Sequence, residues 1–181
     1  MNPALLRQHM WHIKVFVADF LCIFLFLSSA CLSKRGEVRE VWETANHNFR
    51  VRITVYDEKS IFPISGRYYV LQSALKDSDV WHEIMTVFTK DLVSIPRDNF
   101  RFVDDQVAFF FMKQKYATTA DGGHTWAVWD ASKEYDNYAF IKGVRIETDG
   151  KGVISFYDVP SQQRNLTELY TSDYGRHWNA K

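Results

Sequence analysis

Two short segments of the chain combine carboxylate and imidazole groups with turn-forming residues. TADGGHTW occupies residues 119–126, and the similar TSDYGRHW occupies residues 171–178. Each segment holds one histidine, His124 or His177, and the two could form a metal-binding pair only if the two turns met in space. A single histidine in a turn is more often a solvated side chain than a ligand. The repeat therefore predicts turn architecture and no metal site.

Other residue types that could support catalysis lack the partners that such chemistry needs. His82-Glu83 has no second histidine at helical spacing and lies in a strand-like run, so it is not a zinc-protease motif. Asp104-Asp105 precedes an apolar run and is typical of a turn. A paired-carboxylate glycosidase has no positive support, because Asp and Glu are common in any chain. We predict no catalytic residue, no metal and no cofactor, and hence no enzyme.

The two segments share the pattern Ser/Thr-x-Asp-x-Gly-x-x-Trp. Its members are Thr119, Asp121, Gly123 and Trp126 in the first segment (box 1) and Thr171, Asp173, Gly175 and Trp178 in the second (box 2). The pattern resembles the Asp box, or BNR repeat, of sialidases, sortilin-like receptors and other β-propeller proteins. The resemblance implies a turn after a strand, in which Asp accepts backbone hydrogen bonds, Gly takes positive φ and Trp covers the hairpin. It also implies a structural role, since the box in those families usually lies away from the active site.

A third, degraded unit is expected before box 1, around Trp81. Ala74, Lys76 and Ser78 stand where the box would have Thr, Asp and Gly. Repeats of about 40 to 50 residues are typical of propeller blades, but three units fall short of the roughly four that a closed propeller needs. A partial propeller or a sandwich-like assembly is expected. Sialidase activity is not expected, because SIPRDNF around Arg97 is not the Arg-Ile-Pro motif of that family and the chain is too short.

Alternating β-branched and aromatic residues predict an all-β fold. Val51, Ile53 and Val55 fall on one face of RVRITVY. Further strand-like runs cover residues 66–74, 81–89, 106–113 and 115–119. Asp149-Gly150 predicts a hairpin with a two-residue turn of positive φ. The expected fold is a small antiparallel sheet assembly with two or three blade-like Asp-box hairpin units.

Composition limits the domain count and the classes of partner. The 181 residues suit one ordinary domain, which we place at residues 45–181. Lys+Arg and Asp+Glu both number 22, so the formal net charge is zero. Because no single-sign field exists to attract phosphate, nucleic acid is not an expected partner.

The N-terminal region has the pattern of an export signal. Residues 10–31 have a basic residue, Lys14, near their start, continue with a mostly apolar run and end in small residues. We assign residues 1–31 to the signal, with Met10 as an alternative start, and residues 32–44 to a polar spacer. The apolar run contains Asp19 and is shorter than the roughly 20 residues of a spanning helix.

The end of this signal resembles a bacterial lipobox. Ser29 and Ala30 precede Cys31 as that motif requires, although Ser28 stands where leucine is preferred and the leucine is at Leu27. Three fates stay open, in this order: lipidation of Cys31, simple cleavage after Ala30, and a retained anchor. The first implies a periplasm-facing lipoprotein sorted to the outer membrane. Cys22 and Cys31 are the only cysteines, so the 45–181 domain holds no disulfide, thiolate zinc site or cysteine nucleophile.

A binding function is the remaining expectation. The first version is a non-catalytic envelope protein that binds another envelope or secreted protein, as an immunity-type lipoprotein does when it neutralises a delivered toxin. The alternative is a glycan or cell-wall binding module, with Trp129, Tyr135 and Tyr138 as candidate binding residues. A minor hydrolase comes third.

The lipoprotein assignment predicts the behaviour of Cys31→Ser. The variant should lose acyl labelling and leave the membrane fraction while remaining folded, because a single acyl-bearing cysteine would be the attachment point. Labelling with a fatty-acid analogue and fractionation measure both effects. Unchanged membrane retention would indicate a retained anchor instead.

Overall fold

A computed structural model of the protein describes residues 35–59, 66–91, 93–135, 139–157 and 168–180. These residues are all-β, as predicted, with one short α-helix and a 3-10 helix at Arg97–Asn99. The strands are β1 Arg35–Ala45, β2 Phe49–Glu58, β3 Arg67–Leu75, β4 His82–Thr89, β5 Phe100–Phe102, β6 Ala108–Met112, β7 Lys115–Thr119, β8 Ala127–Asp130, β9 Ile141–Ile146, β10 Gly152–Phe156 and β11 Glu168–Thr171. The helix α1 spans Ala131–Glu134.

The strands form three small antiparallel sheets, each made of strands that follow one another in the chain. Sheet A has the order β1-β2-β3-β4, sheet B the order β5-β6-β7-β8, and sheet C the order β9-β10-β11. Hairpin connections between neighbouring strands explain this simple order, because antiparallel strands need only a short turn between them.

Sheet B lies between the other two sheets. One buried cluster joins Val51, Ile53 and Leu71 of sheet A to Phe110 of sheet B. A second cluster joins the opposite face of sheet B to sheet C. Both faces of β6 are therefore buried, which explains its uninterrupted apolar sequence AFFFM. Sheets A and C each keep one outer face.

Strand β2 follows the predicted alternation. Val51, Ile53 and Val55 are buried against sheet B, while Arg50 and Arg52 lie on the opposite face. The alternation arises because successive side chains of a strand point to opposite sides of the sheet.

Residues 35–44 form most of β1, where the sequence predicts a polar spacer. The strand pairs with β2 along its length, and Trp42 packs edge-on against Phe100 at 5.7 Å between ring centroids. The pairing shifts register around Arg39, and most other side chains of the strand are solvent-exposed. A bulged, charged edge strand lacks a clean period of two, so the sequence pattern does not reveal this strand.

The hairpin between β9 and β10 is confirmed, but its turn has three residues rather than two. Glu147 and Lys151 close the loop through the Glu147 N–H, which donates to the Lys151 carbonyl at 2.8 Å. Gly150 has φ of 86°, whereas Asp149 keeps negative φ and accepts a hydrogen bond from the Lys151 N–H at 3.0 Å. This arrangement is a type I turn followed by a left-handed glycine, a common three-residue hairpin loop.

Candidate functional site

Box 1 is a turn held together by the side chains of Thr119 and Asp121. The Thr119 hydroxyl donates to Asp121 Oδ1 at 2.9 Å and accepts from the Gly123 N–H at 3.1 Å. The same carboxylate accepts from the Thr125 N–H at 2.9 Å and from the Thr125 hydroxyl. The box follows β7, as the pattern predicts, and its polar groups are used within the turn.

Box 2 repeats this network after β11. The Thr171 hydroxyl donates to Asp173 Oδ1 at 2.7 Å and accepts from the Gly175 N–H at 3.0 Å. Asp173 also accepts from the His177 N–H at 3.0 Å and lies 2.6 Å from His177 Nδ1. His177 thus takes the place that Thr125 has in box 1.

These hydrogen bonds control the ionisation of the two box carboxylates. Partial burial acts to raise the pKa of Asp173, but hydrogen bonds from His177 and Thr171 outweigh it and hold the pKa at about 2. Burial likewise acts to raise the pKa of Asp121, and the bonds from Thr125 outweigh it, so this pKa also lies below its usual value. Both carboxylates are suited to be turn acceptors and unsuited to be general acids.

Box 1 attaches sheet B to sheet A. A Cβ added to Gly123 would lie 2.6 Å from the Phe49 ring, so the turn backbone contacts that ring directly. Trp126 packs edge-on against Phe49 at 6.0 Å and donates its Nε1–H to the Ser73 hydroxyl at 3.1 Å. The tryptophan is therefore an inter-sheet contact rather than a lid over its own hairpin.

Box 2 attaches sheet C to sheet B in a comparable way. A Cβ on Gly175 would overlap the Tyr116 hydroxyl, and Trp178 packs edge-on against the Tyr116 ring at 5.4 Å. The Thr118 hydroxyl donates to the Tyr174 carbonyl at 2.9 Å. Among the described residues, the buried Tyr116 hydroxyl and Trp178 Nε1 have no hydrogen-bond partner.

Trp81 occupies the corresponding position in sheet A, between the third and fourth strands. Its contacts differ from those of Trp126 and Trp178, because two arginines of its own sheet stack on its ring. The guanidinium carbon of Arg52 lies 4.2 Å from the ring centroid, and that of Arg50 lies 5.2 Å away. Arginine favours such stacking because its guanidinium is planar and weakly hydrated. We call these three side chains the arginine–tryptophan stack.

The stack lies on the outer face of sheet A, which also presents apolar groups. Val38, Val41 and Phe88 of this face are 54%, 51% and 41% exposed. Thr54 and Val70, which pair with each other on the same face, are buried. Exposed apolar groups of this kind, when clustered, are typical of interaction surfaces.

An ion pair crosses the same face. Arg35 donates to both carboxylate oxygens of Glu83 at 2.8 Å and to the Thr86 hydroxyl at 2.9 Å. The pKa of Glu83 is lowered, mainly by the hydrogen bonds from Arg35. Glu83, of the His82-Glu83 pair that the sequence excludes as a zinc-protease motif, thus takes part in a structural ion pair.

The outer face of sheet C is polar by comparison. A cleft of about 290 Å³ on it is lined by Arg145, Glu147, Lys151, Glu168 and Tyr170, together with Gly152 and Val153. Arg145 and Glu147 form an ion pair at this cleft, at 3.4 Å. The two outer faces of the assembly therefore differ in chemistry.

The predicted binding aromatics lie at sheets B and C. Trp129 and Tyr135 are close to each other, at 6.2 Å, and both approach Phe156 at 6.4 Å. Their partly buried rings pack against the core between the two sheets. Burial raises the pKa of Tyr135. Tyr138 lies outside the described residues, and a binding role for all three stays a prediction.

The remaining polar candidates are dispersed. Asp104 accepts from the Gln106 and Val107 N–H groups at 2.7 Å, which confirms its turn role, and Asp105 lies 3.0 Å from His47. A polar cleft of about 480 Å³ beside box 1 is lined by Asn48, Leu75, Lys76, Asp77, Ser78, Gln106, Asp121, Gly122 and His124. Within the described ranges, no group of three or more His, Cys, Asp or Glu side chains could hold a metal ion.

Comparisons with known proteins give no relative. No family model, no curated protein and no solved structure matches the chain. Across the part of the chain that the structure describes, no helix is long and apolar enough to cross a membrane. Cys31, the predicted lipidation site, lies outside the described residues.

The hydrogen bonds of box 1 predict the effect of Asp121→Ala. Removing the carboxylate leaves the Thr125 N–H and the Thr119 hydroxyl without their acceptor, which should lower the free energy of unfolding by about 1 to 3 kcal/mol. Chemical denaturation measures the change, and Asp77→Ala, at an exposed aspartate nearby, is the control. A variant as stable as the parent that nevertheless lost binding would show that box 1 is a functional site.

The low pKa of Asp173 predicts a pH dependence. Since this pKa is about 2 in the folded protein and near 3.8 otherwise, the carboxylate stabilises the fold above about pH 4 and loses that effect as the pH falls towards 2. In His177→Ala the pKa should rise, because the hydrogen bond from His177 is the largest lowering contribution. Carboxyl NMR titration of Asp173 measures this shift. An unchanged pKa in the variant would contradict the role given to His177.

Proposed function

We propose that the protein is a non-catalytic binding protein that associates with another protein through the outer face of sheet A. The observation that carries this proposal is the contrast between the two ends of the three-sheet assembly. The outer face of sheet A combines exposed apolar side chains with a stacked tryptophan and arginines, while that of sheet C has a cleft lined mainly by charged and polar side chains. Tryptophan and arginine are among the residues that most often dominate the energy of protein interfaces.

The dimensions of sheet A suit such a contact. Its four strands have 8 to 11 residues each, so one face is long enough for a usual interface of roughly 800 Å² per partner. Its residues are positioned by regular strand pairing, which lowers the entropy lost on binding compared with a mobile loop.

The proposal includes a finer description of the fold. We infer that sheets A, B and C are three blade-like units of a partial propeller, and that the segment before Trp81 is a degraded Asp box. The position of this segment between the third and fourth strands of its sheet, matching box 1 in sheet B, supports the inference. The outer face of sheet A is then the side of a blade that a preceding blade would cover.

We propose the bacterial envelope as the location. The export signal and the lipobox-like sequence before Cys31 support a periplasm-facing lipoprotein. A rigid module on a membrane anchor suits an immunity-type protein that captures a delivered toxin by stoichiometric binding. The sequence features support the location, and the sheet A surface supports the mode of binding.

Glycan binding is the second candidate, favoured by a different surface. Phe140, Tyr157, Ile141 and Lys113 line a cleft of about 380 Å³, and the Tyr157 side chain is 57% exposed. Exposed aromatic rings can stack on sugar rings while nearby polar groups orient them. This surface is separate from the outer face of sheet A, so the two candidates can be tested independently.

Partner capture by Val41→Glu tests the protein-binding proposal. The substitution places a charge among the apolar groups of the outer face, and it should reduce recovery of the partner from envelope extract by at least about tenfold, since a desolvated unpaired charge is costly. Val128→Glu is the matched control, because Val128 is 49% exposed on sheet B and Val41 is 51% exposed.

Quantitative pull-down with the full chain, together with thermal unfolding of both variants, provides the measurement. Equal recovery by Val41→Glu and the parent would refute the assignment of the face. Recovery of polysaccharide alone, lost in Tyr157→Ala, would establish the glycan alternative. Hydrolysis of a glycoside at enzyme-like rates would show that the protein is an enzyme.

A further inference from the structure

We propose that the arginine–tryptophan stack is an anion-recognition site, and that the protein partner contacts it with an acidic segment whose Asp or Glu carboxylates bind Arg50 and Arg52. This inference rests on the proposed function, because it names the chemistry of the partner that the outer face of sheet A receives. The stack is built from β2 and from the residue that precedes β4.

The geometry of the stack holds the two guanidinium groups in place before a ligand arrives. Arg52 contacts the Trp81 ring and donates Nε and Nη2 to the Gln72 side-chain oxygen at 3.2 and 3.0 Å. Arg50 contacts the same ring and donates to the Ser78 carbonyl at 2.5 Å. A side chain that is already ordered loses less entropy when it binds.

The acceptors of both arginines are mainly neutral, which distinguishes them from their neighbour on the same face. Arg35 is neutralised by a two-point contact with Glu83. Arg52, in contrast, has an amide oxygen as its hydrogen-bond acceptor. Neither arginine has the two-point carboxylate contact that Arg35 has, so each guanidinium can still pair with an anion.

Two acidic side chains near the stack leave this conclusion unchanged. Asp79 reaches Arg50 only at 3.5 Å, and its side chain is fully exposed, so solvent screens the contact. Glu43 lies opposite Arg52 in the register of β1 with β2, and the described residues show no ion pair between them. Arg50 Nε is buried without a hydrogen-bond partner in the described structure.

Carboxylates of a protein fit this site better than phosphates of a nucleic acid. The guanidinium fork matches carboxylate and phosphate in the same two-point geometry, so the surrounding surface decides between them. Exposed apolar side chains, Val38, Val41 and Phe88, share the face, which suits a partner with apolar groups beside its acidic ones.

Titration of the full chain in detergent micelles with poly-L-glutamate tests the site. We expect saturable binding that weakens as salt increases, because exposed charges are screened. Arg52→Gln should weaken binding by about tenfold, the size expected for losing one charge-assisted contact. Arg52→Lys should lose less, because it keeps the charge without the fork. Glu43→Gln should strengthen binding about twofold by removing a competing carboxylate from beside Arg52.

Arg145→Gln is the matched control, since Arg145 is an exposed arginine on the outer face of sheet C. The affinity of this variant for poly-L-glutamate should equal that of the parent. The gain expected for Glu43→Gln cannot result from unfolding, so it separates recognition from stability. Equal affinity in the parent, Arg52→Gln and Arg145→Gln would overturn the inference. Binding of polyphosphate without binding of poly-L-glutamate would also overturn it.

Pull-down with the same variants separates this inference from the proposed function. If Val41→Glu and Arg52→Gln each lose partner capture, the result supports the proposed binding face and the acidic partner. Loss in Val41→Glu alone would keep the face as the binding surface and refute the acidic partner. Full capture by both variants would refute the proposed function itself.

Discussion

The contact between a box glycine and an aromatic ring of the preceding sheet determines how the three sheets are arranged. Gly123 lies against Phe49, and Gly175 lies against Tyr116, in each case with no room for a Cβ atom. Positive φ at both glycines turns the backbone towards the ring, and the Thr–Asp hydrogen bonds hold the turn in that form. Sheet B is buried on both faces because of these contacts, and the outer faces of sheets A and C are what the assembly presents to other molecules.

The sequence predicted those parts of the fold that depend on interactions between residues close together in the chain. The box turns, the alternation along β2 and the Asp104 turn depend on residues within a few positions of each other, and all three are present in the structure. The sequence did not predict strand β1, because this is a charged edge strand with a shift in register. Strands β5, β8 and β11 have only three or four residues each. A period of two cannot be recognised over so few residues.

The candidate binding surface was harder to predict for a different reason. Alternation places Arg50 and Arg52 on the outer side of β2, but their contact with Trp81 depends on pairing between strands that are distant in sequence. The tryptophan that follows the third strand of each sheet also makes different contacts. Trp126 and Trp178 contact the preceding sheet, whereas Trp81 contacts arginines of its own sheet. Sequence similarity among repeats therefore predicts the turn and not the neighbour of its tryptophan.

The contact between sheets A and B and the contact between sheets B and C differ in how their buried polar groups are hydrogen-bonded. Trp126 has a hydrogen bond to Ser73 in sheet A, whereas the Tyr116 hydroxyl and Trp178 Nε1, buried between sheets B and C, have no such partner among the described residues. A buried polar group without a partner costs about 1 to 3 kcal/mol. This cost opposes the packing of sheet C on sheet B, and the hydrogen bond from the Thr118 hydroxyl to the Tyr174 carbonyl, at 2.9 Å, offsets part of it.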